Sequence, residues 1–257
     1  MRYFLELAYN GTRYSGYQAQ RNQVTVQGAL EQSIQLLLQR PTKVVGCGRT
    51  DAGVHALQYF IHFDVFDVLP PNFLYRLNRI LGKDILCYRL LEVAADAHTR
   101  FDATSRSYRY VIDAFQNPFH QETAYYCHYV KQLELAKMQE AAQLLLNYED
   151  FTTFCKSRTD TKTNLCALQE SYWEIKEEEQ QLVYHVRSNR FLRGMIRLIV
   201  GMCLNVGKGT VKLAEVKTAL DNKKTLERAF SAPATGLFLT DIRYDFIPPR
   251  RLDLLEK

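Results

Sequence analysis

The first nine residues alternate, with Tyr3, Leu5, Leu7 and Tyr9 on one side and Arg2, Phe4, Glu6 and Ala8 on the other. That period of two predicts a strand. Asn10-Gly11 ends it with a turn dipeptide. The period then changes: after Thr25, the apolar positions Val26, Leu30, Ile34, Leu37 and Leu38 fall on one helical stripe. They predict an amphipathic helix capped by Thr25 and closed by Pro41. Lys43 to Cys47 and Leu57 to Phe63 read as short strands on either side of a Gly-rich loop. Pro71 to Leu81, with Leu74, Leu77 and Leu81, reads as a second helix with proline near its start. Ile85 to Val93 is a further strand.

The pattern then begins again. Ser105 to Ile112 alternates as a strand and Leu133 to Leu146 is helical. Thr163 to Ile175 and Leu182 to Arg187 are strands joined by the acidic tip Glu177-Glu178-Glu179-Gln180. Asn189 to Val206 reads as a long helix, Leu213 to Leu220 as a short one, and Leu237 to Tyr244 as a closing strand. Two successive strand-and-helix sets predict an α+β fold of two similar halves, with mainly antiparallel sheets flanked by helices. The halves are expected over 1–95 and 100–247, with a tail over 248–257. No short repeat or Pro/Gly-rich linker separates them, so the halves are expected to pack tightly.

Composition narrows the class. The chain has 257 residues, 47% hydrophobic and 24% charged, enough to bury a sizeable core. Lys and Arg number 33 against 28 Asp and Glu, a net +5 that permits a polyanionic partner without demanding one. The longest apolar stretch, Phe191 to Val206, is interrupted by Arg193 and Arg197, which argues against a membrane span. Glu6 sits inside any would-be signal core, and a cytoplasmic location is expected. The six cysteines lie at least eleven residues apart, without the short spacing of a zinc site, and read as free thiols in the core.

The candidate chemistry is concentrated in Gly46-Cys47-Gly48-Arg49-Thr50-Asp51-Ala52-Gly53-Val54-His55-Ala56. Glycines surround one acid and one base, a combination that lets backbone approach a ligand closely. A polar turn between strands is the plain alternative. Neither this loop nor Gly207-Lys208-Gly209-Thr210 has the spacing of a nucleotide-binding loop. His55, His62 and Asp64 are the residue types of a metal site in a rival hydrolase. His62 and Asp64 share a strand face, but His55 precedes it in the loop and no carboxylate cluster completes a site.

The string Gly48-Arg49-Thr50-Asp51-Ala52-Gly53-Val54-His55-Ala56 closely resembles the active-site loop of the TruA family of tRNA pseudouridine synthases. Further stretches resemble the family in the same order: Tyr9-Asn10-Gly11-Thr12 through Tyr14-Ser15-Gly16-Tyr17-Gln18 to Thr25-Val26-Gln27, then Arg106-Ser107-Tyr108-Arg109-Tyr110, then Phe191-Leu192-Arg193-Gly194-Met195-Ile196-Arg197, then Ala232-Pro233-Ala234-Thr235-Gly236-Leu237. Asn10 stands where the family usually has Asp, Tyr17 where Trp is usual, and Gly194 where a bulkier polar residue is frequent.

The resemblance implies an RRM/ferredoxin-like pseudouridine synthase fold and isomerisation of uridine in tRNA, at anticodon stem-loop positions 38 to 40. It implies no cofactor or metal, and a homodimer that shares the RNA cleft. By motif position Asp51 is the nucleophile, with its ionised form favoured by a guanidinium, and Arg197 is that partner. Tyr108 is the aromatic platform for a base taken out of its stack. Arg49 is long enough to fill the gap left by that base or to bind its phosphate. Arg13, Gln18, Arg106 and Arg193 are expected RNA contacts. Arg190, Arg193 and Arg197 fall on one face of the expected 189–206 helix. The rival reading is a non-catalytic RNA-binding α+β module. Asp51 discriminates, because a binder gains nothing from an acid facing phosphate.

Overall fold

The computed structural model describes residues 1–156 and 163–250; positions 251–257 of the expected tail lie outside the described residues. The strands are β1 (Arg2–Tyr9), β2 (Val45–Gly46), β3 (His55–Asp64), β4 (Ile85–Val93), β5 (Ser105–Asp113), β6 (Tyr125–Tyr126), β7 (Leu168–Lys176), β8 (Gln181–Ser188) and β9 (Leu237–Arg243). The helices are α1 (Val26–Leu38), α2 (Phe73–Leu81), α3 (Leu135–Leu144), α4 (Met195–Gly207) and α5 (Leu213–Asp221).

The strands of both sets lie in one sheet of order β4-β1-β3-β9-β5-β8-β7, with β2 beside β3 and β6 beside β5. The pairings are antiparallel except β3 with β9 and β5 with β6. The last strand is what joins the two sets: β9 sets Phe238 opposite His55 of β3 and, on its other side, Leu239 opposite Tyr108 of β5. The start of β3, just after the Gly-rich loop, therefore lies one strand away from the aromatic-basic strand, with β9 between them.

Two buried clusters fill the space between helices and sheet. In one, Val26, Leu30 and Ile34 of α1 and Leu77 of α2 meet Phe4, Leu7, Tyr59 and Phe63. In the other, Met138 and Ala142 of α3 and Ile199, Val200 and Cys203 of α4 meet Tyr110, Trp173 and Tyr184. Each fully buried Leu, Ile or Phe contributes about 1.5–3 kcal/mol. α1 starts as expected, since the Thr25 hydroxyl accepts the Gly28 N–H at 3.2 Å. It ends at Gln39 in a left-handed conformation, before Pro41. The acidic tip 177–180 is an exposed turn between β7 and β8.

Several expected boundaries move. β7 begins at Leu168, because Leu165 instead bridges to Asp150. Lys43 to Cys47 contributes only the two residues of β2, α2 starts at Phe73 rather than Pro71, and α3 gives way to a 3-10 turn at Leu145–Asn147.

The largest correction concerns α4. The expected helix over 189–206 begins only at Met195, because Gly194 sits at φ 72°, a left-handed conformation that stops the helix on its N-terminal side. Leu192 stays buried through the turn that Met195 N–H makes to its carbonyl, at 3.1 Å. That burial continues the apolar period across a break that periodicity alone does not reveal. Cys47, Cys87, Cys127, Cys166 and Cys203 are buried free thiols and Cys155 is half-buried.

Candidate active site

From Cys47 the chain leaves β2, runs through 48–54 and enters β3 at His55. Tyr9, Tyr17 and Tyr59 hold this excursion at several points. The Tyr59 hydroxyl donates to the Gly48 carbonyl. The Tyr9 hydroxyl lies 2.9 Å from Thr50 Oγ1. Tyr17 N–H donates to the Thr50 carbonyl at 3.2 Å, and Val54 N–H donates to the Asp51 carbonyl at 3.2 Å, closing a turn headed by Asp51. The rings of Tyr9 and Tyr17 pack on Tyr59 with centroids 5.4 and 4.6 Å away. Burial raises all three phenols well above their usual range, so they stay neutral beneath the carboxylate. Burial likewise pushes the Cys47 thiol up to about 11, which removes it as a thiolate nucleophile at neutral pH.

Asp51 meets a residue 146 positions away. Arg197, in the first turn of α4, donates from Nη1 to Asp51 Oδ2 at 3.1 Å. Its Nε donates to the Ala232 carbonyl at 2.6 Å, and its own carbonyl accepts the Ala232 N–H at 3.0 Å. The guanidinium is thus fixed from two sides. Side-chain exposures of 17% for Arg197 and 28% for Asp51 leave the pair partly desolvated yet open to a substrate.

Tyr108 projects from β5 close to this pair and packs edge-on to Phe191, centroids 5.2 Å apart. Burial is the main cause raising its phenol; the neighbouring Cys47 and Asp51 add to the rise and Arg106 opposes it. Tyr110, two positions on, is fully buried and donates to the Pro233 carbonyl at 2.8 Å, so it belongs to the core and anchors the 232–236 segment.

The expected RNA-contact residues divide. Arg49 is exposed, with no ion pair or hydrogen bond from its side chain among the described residues. Gln18 is exposed, and Arg13, 74% exposed, rests on Asp84 at 3.4 Å. Arg193 is exposed in the segment before Gly194, and Arg190 also precedes α4, so the shared helical face with Arg197 does not form. Arg106 turns inward: it donates to the carbonyls of Cys47 (3.1 Å), Arg100 (2.7 Å) and Asn189 (2.8 Å), clamping three connections at the foot of the loop.

The three candidate metal ligands His55, His62 and Asp64 are held separately. His55, which opens β3 instead of preceding it, bonds Gly11 and Thr235. His62 accepts from Thr99 N–H, and Asp64 pairs with Arg2. No group of three or more His, Cys, Asp and Glu side chains among the described residues is placed to hold a metal ion.

Sequence reasoning gave no role to Tyr9, Tyr59 or the Ala232 carbonyl. Tyr9 and Ala232 lay inside recognised motifs, but nothing in the chain order shows that their partners would be Thr50 and Arg197. The assembled site offers a carboxylate on a rigid turn, a fixed guanidinium, an aromatic side chain and an exposed arginine. That set suits nucleophilic chemistry on a ring taken from a polyanion.

A sequence profile described as tRNA pseudouridine synthase matches residues 141–245. Over nearly its whole length the chain is similar to proteins named tRNA pseudouridine synthase A. That of Bacteroides fragilis is 40% identical over 247 residues, covering 95% of this chain and 96% of the relative. That of Bacteroides thetaiotaomicron is 41% identical over 245 residues, covering 95% and 90%. That of Exiguobacterium sibiricum is 33% identical over 244 residues, covering 95% and 96%.

Proposed function

We propose, from the premise that this chain belongs to the tRNA pseudouridine synthase A family and isomerises uridine in tRNA, that Asp51 is the nucleophile of that reaction. The observation that carries the proposal is the Asp51–Arg197 contact at 3.1 Å, which joins two motifs far apart in the chain at one carboxylate.

The reaction breaks the N1–C1′ bond of uridine, turns the freed uracil and rejoins it through C5. C5 loses its hydrogen and N1 gains one, so composition and oxidation state are unchanged and no electron donor or acceptor is required. Asp51 has the task of holding the intermediate covalently between cleavage and rejoining. Arg197 holds the carboxylate aimed. Tyr108 gives the extruded base a neutral aromatic surface, where stacking contributes on the order of 1–3 kcal/mol. Arg49, exposed beside Asp51, fills the gap left by the base or binds its phosphate. Arg13, Gln18 and Arg193 are exposed and suited to backbone contacts. Arg106 acts on RNA by holding the surrounding connections in place.

The architecture in this reading is two ferredoxin-like halves, 1–95 and 100–247. Support comes from two buried clusters, one drawn mainly from each half, and from β9 joining them. The modified uridines are those of the anticodon stem-loop at positions 38 to 40, and the working form is a cytoplasmic homodimer. Exposed Phe115, Phe119 and Tyr126 near β6 supply apolar surface for a second copy. No helix among the described residues is long and apolar enough to cross a membrane. Base-resolved mapping of pseudouridine in unmodified tRNA transcripts tests the positions, with new sites expected in the anticodon stem-loop. Sites confined to another arm would refute that assignment. Sedimentation of the free protein tests the dimer, and a monomer at micromolar concentration would contradict it.

A further inference from the structure

His55 is 2% exposed, and no step assigned above uses it. Its ring nevertheless spans the two segments that hold the reacting pair. On one side Gly11 N–H donates to Nδ1 at 3.1 Å. On the other, Nε2 lies 3.1 Å from the Thr235 carbonyl. The ring stacks on Phe238, centroids 4.6 Å apart and planes 24° apart.

These contacts fix the protonation state. A backbone N–H only donates, so Nδ1 must carry a lone pair; a carbonyl only accepts, so Nε2 must carry the proton. The one form that satisfies both is the neutral imidazole with hydrogen on Nε2. Burial is the main cause lowering the pKa of the ring and favours that neutral form, against the opposing pull of the Thr235 and Glu122 carbonyls and the Glu122 carboxylate. A cationic ring would set an N–H against the Gly11 N–H.

The bonds close a circuit around the ion pair. Gly11 lies flush on the residue before His55: a Cβ there would stand 2.0 Å from the Val54 carbonyl oxygen. Val54 N–H in turn holds the Asp51 carbonyl. Thr235 belongs to the 3-10 turn Ala234–Gly236, three residues after Ala232, which exchanges two hydrogen bonds with Arg197. Asp51, its turn, His55, Thr235, Ala232 and Arg197 therefore form one ring of contacts.

We propose that His55 is a positioning residue for pseudouridine formation: in its neutral, Nε2-protonated form it sets the distance between the Asp51 turn and the segment that aims Arg197. The inference rests on Asp51 and Arg197 being the reacting pair. It assigns His55 no contact with RNA and no proton transfer to substrate.

The test uses full-length protein, an unmodified tRNA transcript and single-turnover kinetics, with Asp51→Asn run in parallel. His55→Phe keeps the stacking on Phe238 and removes both hydrogen bonds. Its turnover should fall about 100-fold, as a misplacement near 1 Å does, with tRNA affinity within about twofold of wild type. His55→Gln, whose amide N–H reaches toward Thr235, should regain about tenfold over His55→Phe. Turnover of His55→Phe within threefold of wild type, or a loss confined to affinity, overturns the proposal. If Asp51→Asn is dead while His55→Phe is active, only this inference fails; if Asp51→Asn is active, the assignment of the nucleophile fails first. Should His55→Phe not fold, imidazole 15N shifts of the wild-type protein decide. A bare Nδ1 and protonated Nε2 at neutral pH are expected, and a protonated Nδ1 overturns the proposal.

Discussion

Arg197→Lys tests the geometry of the proposed reacting pair more sharply than removal of the charge. The guanidinium makes two directed donations at once, Nε to the Ala232 carbonyl at 2.6 Å and Nη1 to Asp51 Oδ2 at 3.1 Å. A lysine ammonium is one point at the end of a flexible stem. It reaches the carboxylate or the carbonyl, but not both from the same backbone position. A hydrogen bond from a charged donor is worth about 1.5–3 kcal/mol, and the pair is only partly exposed, so solvent does not replace it fully. If that energy orients Asp51 in the transition state, its loss slows single turnover by about 10- to 150-fold. The affinity for tRNA should barely change, because the positive charge remains. Arg193→Lys is the control: Arg193 is exposed and outside α4, so retaining its charge should retain turnover. Rates come from quenched single-turnover reactions and affinities from filter binding at several salt concentrations. Arg197→Lys at wild-type rate, with Arg193→Lys impaired, would refute the assigned pair.

Gly11→Ala forces a Cβ to within 2.0 Å of the Val54 carbonyl oxygen, backbone against backbone, and should destabilise the fold by about 1–3 kcal/mol while slowing turnover; an unchanged melting temperature would contradict the close approach. Glu6 is 1% exposed and bonded to Arg89 and Gln58, so Arg89→Leu leaves a buried carboxylate without its cation. Urea unfolding should show a loss of about 3–5 kcal/mol, partly regained when Glu6→Gln is added. His62, buried and beside His98, has its pKa lowered to about 4, with burial the main cause. A base whose folded pKa is depressed takes up its proton first in the unfolded chain. Stability should therefore fall as pH drops from about 6.5 toward 4. His62→Gln should flatten that limb of the profile, and an unchanged acid limb would point to another group.

Element types were readable where one physical signal dominated. β4 matched its expected range, and α1 matched from its Thr25 cap onward, because strand alternation and helix capping are local. The start of α4 was not readable: Leu192 is buried and preserves the apolar period, while the left-handed turn at Gly194 leaves no mark in it. The single sheet was hidden for a different reason. β9 sits between β3 and β5, and that long-range pairing has no local signature. At the site, motif likeness pointed to Asp51, Tyr108 and Arg197, and the structure sets Asp51 against Arg197 with Tyr108 nearby. The inward turn of Arg106 was not legible, because its three carbonyl partners come from separate connections. His55 drew notice as a metal-ligand type, whereas its bonds to Gly11 and Thr235 depend on contacts 44 and 180 residues away.

The central claim is that the Asp51 carboxylate carries the reaction, and the direct measurement is single-turnover release of tritium from tRNA labelled at C5 of uridine. Isomerisation frees that hydrogen to water, so release follows bond exchange. Wild-type protein should release label without added metal or nucleotide, and Asp51→Asn should release none while binding tRNA at least as tightly, since the acid supplies chemistry and repels phosphate. Tritium release by Asp51→Asn at the wild-type rate would place the nucleophile elsewhere and contradict the account.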